Sequence, residues 1–335
     1  MAPGGAPLPV GYNGATMPLG PAKAATGMKE HVAMTVDAAS ERANQAPSRP
    51  SLDELRRTSA EARKLIVQAI HHAGAGHLGG PMSAADLLVA LYFDRMRIDP
   101  ARPDWPGRDR FILSKGHSSI ALYTVLAMRG YFPTEELMTF DAAHSRLQGH
   151  PDMHALPGLE MSTGSLGQGL SPGAGMALGA KVRGDAFHTW VMLGDGEIQE
   201  GQIWEAAFMA ARYGLDNLTA ILDYNGLPQF GWPERGGFTR EIPIDDPGGK
   251  FRAFGWHVIE CDGHDHASIR EALDAAQAFT GQPTCVVAHT VKGKGISYME
   301  GDFAWHAKVP SDEQLASALS ELDDQIAAIG EEAAA

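Results

Sequence analysis

The chain is 335 residues long, enough for one large or two modest domains with a substantial buried core. Hydrophobic residues make up 44% and charged residues 20%, a balance that excludes disorder over the whole length and a purely fibrous chain. A net charge of −14 repels a phosphate backbone, so nucleic acid is not expected as a partner.

Residues 1–50 are rich in Ala, Pro, Gly and Ser, with seven prolines interrupting any periodic element, and are expected to form a flexible extension. Ordered structure is expected from Ser51, an N-cap with Glu54 three residues on, followed by Leu52, Leu55, Leu65, Ile66 and Ile70 in a helical pattern. His71 and His72 fall at the end of that helix, where interaction with its C-terminus explains them without a catalytic role. No stretch approaches the roughly 18 apolar residues of a spanning helix, and the N-terminus lacks the pattern of a secretory signal. The two cysteines, Cys261 and Cys285, lie in apolar runs and read as reduced core thiols, so a cytoplasmic location away from membranes is expected.

From residue 51 to 335 helical segments alternate with short apolar runs, the pattern of one α/β domain with a mostly parallel sheet flanked by helices. Strands are expected at 110–113, 189–193, 218–223, 257–260 and 284–288. Helices are expected at 84–93, 120–129, 170–182, 202–213, 267–279 and 312–328. Ser83 to Asp86 reads as a capping box that opens the helix at 84, which puts His77 ahead of a positive helix end and favours a neutral imidazole. In the helix after residue 169, Gly169, Gly173 and Ala177 recur every four positions and Gly175 and Gly179 mark a neighbouring face. That pattern serves close packing within the chain or a contact between subunits equally well.

Gly194-Asp195-Gly196 directly follows an apolar run, and a second apolar run ends in Asp223-Tyr224-Asn225-Gly226. Ligands of an open α/β sheet bind beyond the carboxyl ends of its strands, so Asp195 and Asn225 are expected to meet there. One carboxylate and one amide oxygen suit Mg²⁺, with Ca²⁺ also possible, and the flanking glycines let a diphosphate approach the backbone. The 30-residue spacing from Asp195 to Asn225 resembles the thiamine diphosphate signature.

Three of the fourteen histidines, His77, His117 and His150, sit in glycine-bearing loops outside any helical or strand period. Together they suggest a pocket that offers hydrogen bonds to a polyhydroxylated or oxyanionic substrate. The ordered series GHLGGP, LSKGH, GHPD, STGSLGQG, GDGEIQEG, DYN, HTVKGKG and WHAKVP then resembles the thiamine diphosphate-binding N-terminal portion of transketolase. Within that family it is most similar to the N-terminal subunit of split, two-gene transketolases, over nearly all of the chain from residue 51.

The resemblance implies that Asp195, Asn225 and the backbone oxygen of Leu227 hold Mg²⁺, and that Gly196 and His117 contact the diphosphate. Gly164, Ser165 and Leu166 would line the cofactor near its aminopyrimidine. His77, His150 and His306 would stand at the reacting carbons, moving protons with titration near neutrality, His306 also touching the cofactor. Glu200 and Glu205 either link paired active sites across a subunit interface or form a solvated helix face. The glutamate that activates the aminopyrimidine, and the cations that grip a sugar phosphate, would come from a C-terminal transketolase-like partner subunit, in an α2β2 assembly. The implied activity is transfer of a two-carbon ketol unit from a ketose to an aldose, by a complex and not by this chain alone. A carbon-ligating enzyme of secondary metabolism and a 2-oxo acid dehydrogenase α-type subunit share the diphosphate-side signature. The sequence departs from the family after Asn225, where Gly226 to Trp232 stands in place of the usual glutamine-bearing segment and Asp-Gly.

Overall fold

The computed structural model describes residues 49–227, 232–234, 237–239 and 245–332. The expected extension, apart from Arg49 and Pro50, and residues 228–231 of the divergent loop lie outside the described residues. Arg49–Ala335 forms one compact unit.

The first helix, α1 (Leu52–Ala73), opens with the expected capping box: the Ser51 hydroxyl accepts from the Glu54 amide, and Glu54 accepts from the Ser51 amide. Such a cap contributes roughly 1 kcal/mol. The second helix, α2 (Gly79–Val89), starts five residues before the expected position and runs into a π-helical turn at Ala90–Arg95. Ser83 is therefore not its cap but lies inside it, donating to Gly80 O and to Asp223. Pro81 is compatible with a first helical turn, where no amide partner is needed. His77 still precedes a helix N-terminus, and sits nearer to it than the sequence suggested.

Strand β1 (Arg110–Leu113) is followed by a short 3-10 turn (Gly116–Ser118) and α3 (Ser119–Met128). Helix α4 (Leu170–Arg183), β2 (Thr189–Gly194), α5 (Gly201–Arg212) and β3 (Leu218–Tyr224) then form two strand and helix repeats. A small antiparallel pair, β4 (Trp232–Glu234) and β5 (Gly237–Thr239), stands apart from the main sheet. The chain continues through α6 (Pro247–Ala253), β6 (His257–Asp262), α7 (His266–Ala278), β7 (Thr284–His289) and α8 (Asp312–Glu332). Helix α6 was not anticipated because Pro247, Gly248 and Gly249 are poor helix formers. Its signal is the Asp246-Pro247 pair, an Asx N-cap followed by proline at the first helical position.

All five main strands pair in parallel in the order β1-β2-β3-β7-β6. Residues alternate between the two faces. Phe111, Trp190, Met192, Ile221 and Val286 pack against α1, α2 and α3, while Ile112, Val191, Leu193, Ala220 and Val287 pack against α4, α5 and α6. Burial on both faces explains why the strands read as continuous apolar runs. The close approach of α4 to this sheet settles one of its two stripes: a Cβ on Gly173 would lie 2.5 Å from Val191 Cγ2, and one on Gly169 2.5 Å from the Ser114 side chain. The Gly169, Gly173 and Ala177 stripe thus packs within the chain, and the Gly175 and Gly179 face is open.

Candidate active site

The carboxyl ends of β1, β2, β3 and β7 are neighbours in the sheet, and each feeds a loop into one site. Gly194 pairs with Asp223 in register, so Asp195 emerges beside Asn225. The Asp195 carboxylate accepts from three backbone amides, those of Gly196 at 2.7 Å, Asn225 at 2.9 Å and Gly226 at 2.6 Å. These bonds orient it but neutralise little of its charge. It is 4% exposed, and burial followed by the nearby Asp223 charge raises its pKa, against the opposing amides.

Beneath Asp195 lies a buried ion pair. Asp223, on β3, accepts from Lys115 Nζ, from Ser83 Oγ at 2.7 Å and from Thr290 Oγ1. Burial alone would raise its pKa, but the Lys115 charge and these hydrogen bonds outweigh that and hold it below the usual carboxylate range. Lys115 also donates to Gly80 O at 3.3 Å, tying the loop after β1 to the start of α2.

Glu197, 1% exposed, joins its own turn to two other loops. It accepts from the amides of Gly167 at 2.8 Å and Gly194 at 3.0 Å and from the Ser114 hydroxyl, which in turn accepts from Gly169 N. Burial raises its pKa against those hydrogen bonds. A Cβ on Gly116 would come within 2.7 Å of Gly164 N, so the loops of His117 and of Gly164 to Leu166 touch through bare backbone. Gly164 lies against the His150 ring; Ser165 is exposed, and Leu166 O accepts from Gln202.

The four histidines singled out from the sequence meet in one cluster. Ring centroids lie 5.1 Å apart for His77 and His117, 5.2 Å for His77 and His306, 5.3 Å for His117 and His306, and 6.2 Å for His77 and His150. Burial, then the charge of Lys115 and the neighbouring rings, lowers the pKa of His117 to about 2. Burial and the Lys292 charge lower that of His306 to about 3, and burial lowers that of His77 as well. These three imidazoles are neutral at pH 7: His77 agrees with its place ahead of a helix N-terminus, and His306 departs from the expectation of titration near neutrality. A neutral ring offers one donor and one acceptor to a substrate hydroxyl.

Lys292 completes the site and was not anticipated. It is 2% exposed, and its ammonium donates to Leu227 O at 2.6 Å and to His306 Nδ1 at 2.8 Å. Burial lowers its pKa to about 8, with Asp195 and Asp223 opposing the shift. The bond to Lys292 leaves His306 with its proton on Nε2. The KGKG segment was the available signal for Lys292, and SKGH and DYN the signals for Lys115 and Asp223, but nothing local says which cation meets which carboxylate.

The donor set fits a hard divalent cation. Asp195 brings a buried carboxylate whose charge Lys115 and Lys292 offset only in part, Asn225 Oδ1 is turned to the same loop by the Leu227 amide at 3.2 Å, and Leu227 O has a second lone pair beside its bond to Lys292. Among the described residues no three His, Cys, Asp or Glu side chains gather as a metal cluster. No helix among the described residues is long and apolar enough to cross a membrane.

Residues 55–323 match the thiamine diphosphate-binding domain of transketolase. The 6-deoxy-6-sulfo-D-fructose transketolase subunit SqwG of Clostridium sp. (strain MSTE9) is 44% identical over 264 residues, covering 78% of this chain and 94% of that protein. One of the subunits of the apulose-4-phosphate transketolase of Phocaeicola vulgatus is 41% identical, covering 82% and 96%. Among solved structures, a transketolase of Pichia stipitis in complex with sedoheptulose-7-phosphate superposes with a TM-score of 0.72 at 30% identity. The chain spans 45% of the length of that longer enzyme. With the fold, the paired Asp195 and Asn225, and these relatives in agreement, the chain belongs to the transketolase family, as its thiamine diphosphate-binding N-terminal subunit.

Proposed function

We propose that the chain is the diphosphate-side half of a two-component, Mg²⁺-dependent transketolase that moves a two-carbon ketol unit from a ketose, free or phosphorylated, to an aldose acceptor. The observation that carries this reading is the meeting of Asp195 and Asn225 at adjacent strand ends beside the histidine cluster. In it, Asp195, Asn225 and Leu227 O hold Mg²⁺, which Ca²⁺ can replace, and Gly196 and His117 receive the diphosphate. Gly164, Ser165 and Leu166 line the aminopyrimidine side.

Bound thiamine diphosphate supplies the carbon nucleophile and the electron sink. The chain's own groups position the sugar and carry protons. His77, His150 and His306 face the reacting carbons. His77, being neutral, accepts a hydroxyl proton at one nitrogen and donates at the other, while His306, whose Nδ1 is taken by Lys292, donates from Nε2. The Lys115–Asp223 pair keeps the loop of His117 fixed, so that its ring reaches the diphosphate without rearrangement.

The glutamate that activates the aminopyrimidine and the cations for a sugar phosphate are assigned to a C-terminal transketolase-like partner, in an α2β2 assembly in the cytoplasm. Exposed Glu200 and Glu205 belong to the subunit interface in this reading. Glu205 lines an open groove of about 490 Å³ between α4 and α5, beside exposed Met209 and Tyr213.

The test is co-expression with the partner, followed by a panel of free, phosphorylated and sulfonated ketoses with aldose acceptors. Ketol transfer is expected from the complex with thiamine diphosphate and Mg²⁺, and not from this chain alone. Robust transfer by the chain alone overturns the two-component reading; decarboxylation of 2-oxo acids without ketol transfer overturns the reaction.

A further inference from the structure

A second buried polar cluster lies outside the residues of the active site. Arg63 on α1 forms a two-bond contact with Asp86 on α2, Nη2 to Oδ2 at 2.6 Å and Nη1 to Oδ1 at 3.0 Å, and also donates to Met82 O. Arg63 is 5% and Asp86 4% exposed. Burial alone would raise the pKa of Asp86, but the Arg63 charge, joined by the hydrogen bond from His264 and by His266 Nε2 at 3.6 Å, holds it well below the carboxylate range. The anchor is thus a fixed negative charge on two packed helices.

His264, in the loop after β6, connects that anchor to the active site. Its Nδ1 lies 2.7 Å from Asp86 Oδ2, and its Nε2 accepts the Val291 amide at 2.8 Å. Because Nε2 accepts, the proton is on Nδ1 and is donated to Asp86. Val291 immediately precedes Lys292. The segment is held from two sides: the Thr290 amide by Tyr224 O of β3 at 3.1 Å, and the Val291 amide by His264. Two consecutive peptide planes are then fixed, and the next side chain, Lys292, reaches both Leu227 O and His306 Nδ1. The loop is close-packed beyond it as well, with Gly293 N donating to Gly79 O at 3.0 Å.

We propose that His264 is a positioning residue of the active site, which acts through the Val291 amide to set Lys292 against the cofactor-binding oxygen of Leu227 and against His306. The bond that matters is the one to Val291, and the bond to Asp86 fixes the ring that makes it. This role rests on the cofactor-binding reading above.

Two substitutions separate the two ends of the ring. His264→Asn keeps an N–H at the Nδ1 position for Asp86 and is too short for Val291; His264→Gln extends an oxygen to Val291 and gives up the Asp86 end. In the complex with the partner and Mg²⁺, thiamine diphosphate binding measured by titration calorimetry is expected to weaken about tenfold in His264→Asn and less than about threefold in His264→Gln. In a Lys292→Met background the Asn substitution should add little. Equal affinities in the two variants, or a lowered melting temperature in His264→Asn at unchanged affinity, overturn the proposal. Amide exchange in the wild-type complex is an independent measurement: Val291 should be protected, and exchange at the rate of an exposed loop amide overturns the proposal even if no variant folds. Failure of the wild-type complex to bind thiamine diphosphate would instead refute the cofactor reading.

Discussion

Asp86 and Asp195 are both carboxylates with 4% exposure, yet their surroundings drive them in opposite directions. Asp86 is met by the Arg63 guanidinium and two histidines and is held well below its usual range. Burial and the repulsion of Asp223 raise the pKa of Asp195, against three backbone amides and the Lys115 charge. The Asp86 charge is balanced within the chain by Arg63; the Asp195 charge is balanced only in part. Burial of a charge without full compensation marks the site built for a cation, and burial with compensation marks the support built around it.

The largest effect is expected where that comparison is broken at Asp195. Asp195→Asn removes the charge on which the proposed Mg²⁺ site depends and keeps the shape and part of the hydrogen bonding. Stability without cofactor should stay the same or rise, while Mg²⁺-dependent ketol transfer by the complex falls about a thousandfold or more. Urea unfolding of the chain and turnover of the complex check the two halves. A strongly destabilised variant would mean that the Asp195 charge serves the fold.

Asp86→Ala is the mirror experiment. It leaves the Arg63 guanidinium buried with no counter-charge, and it should lower stability by about 3–5 kcal/mol in urea unfolding. Arg63→Met with Asp86→Ala should recover a large part of that loss, because no unpaired charge then remains. If the single substitution costs no more than an exposed ion pair, about 1 kcal/mol or less, Asp86 does not anchor the two helices.

The two clusters were also unequally legible. The parallel sheet was visible because each strand is a continuous apolar run, and the Asp195 and Asn225 pairing because strand ends converge by the geometry of the fold itself. The histidine loops carried glycines that flagged them. Arg63, Asp86 and His264 carried no such mark: Asp86 and His264 are 178 positions apart, and Lys115 and Asp223 are 108 apart. In sequence Arg63 reads as an ordinary polar residue and Asp86 as the acid of a capping box, and only the packing of α1 on α2 makes them a pair. The start of α2 at Gly79 lies in tight tertiary contact, since a Cβ on Gly79 would stand 2.8 Å from Lys292 Cγ. The neutral state of the clustered histidines follows from burial and the charges of Lys115 and Lys292, which the sequence does not locate.

That neutrality gives the smallest of the expected effects and a way to sharpen the comparison by pH. The folded-state pKa is about 2 for His117 and about 3 for His306, against 6.5 for an unperturbed imidazole. As pH falls below about 6.5, the unfolded chain takes up protons that the folded chain refuses, so stability falls with falling pH. Asp195 and Glu197, raised by burial, contribute with the opposite sign above the ordinary carboxylate pKa, because the folded chain then holds the protons longer. Asp86, held low, loses its contribution only below about 3.8, outside this window. His117→Asn should therefore reduce the slope of stability against pH between about pH 4.5 and 6 by close to one proton, with little change at pH 8. An unchanged slope in urea unfolding across that range would show that His117 accepts a proton within the folded protein. The cluster would then be open to water in a way that its burial beside Lys115 does not allow.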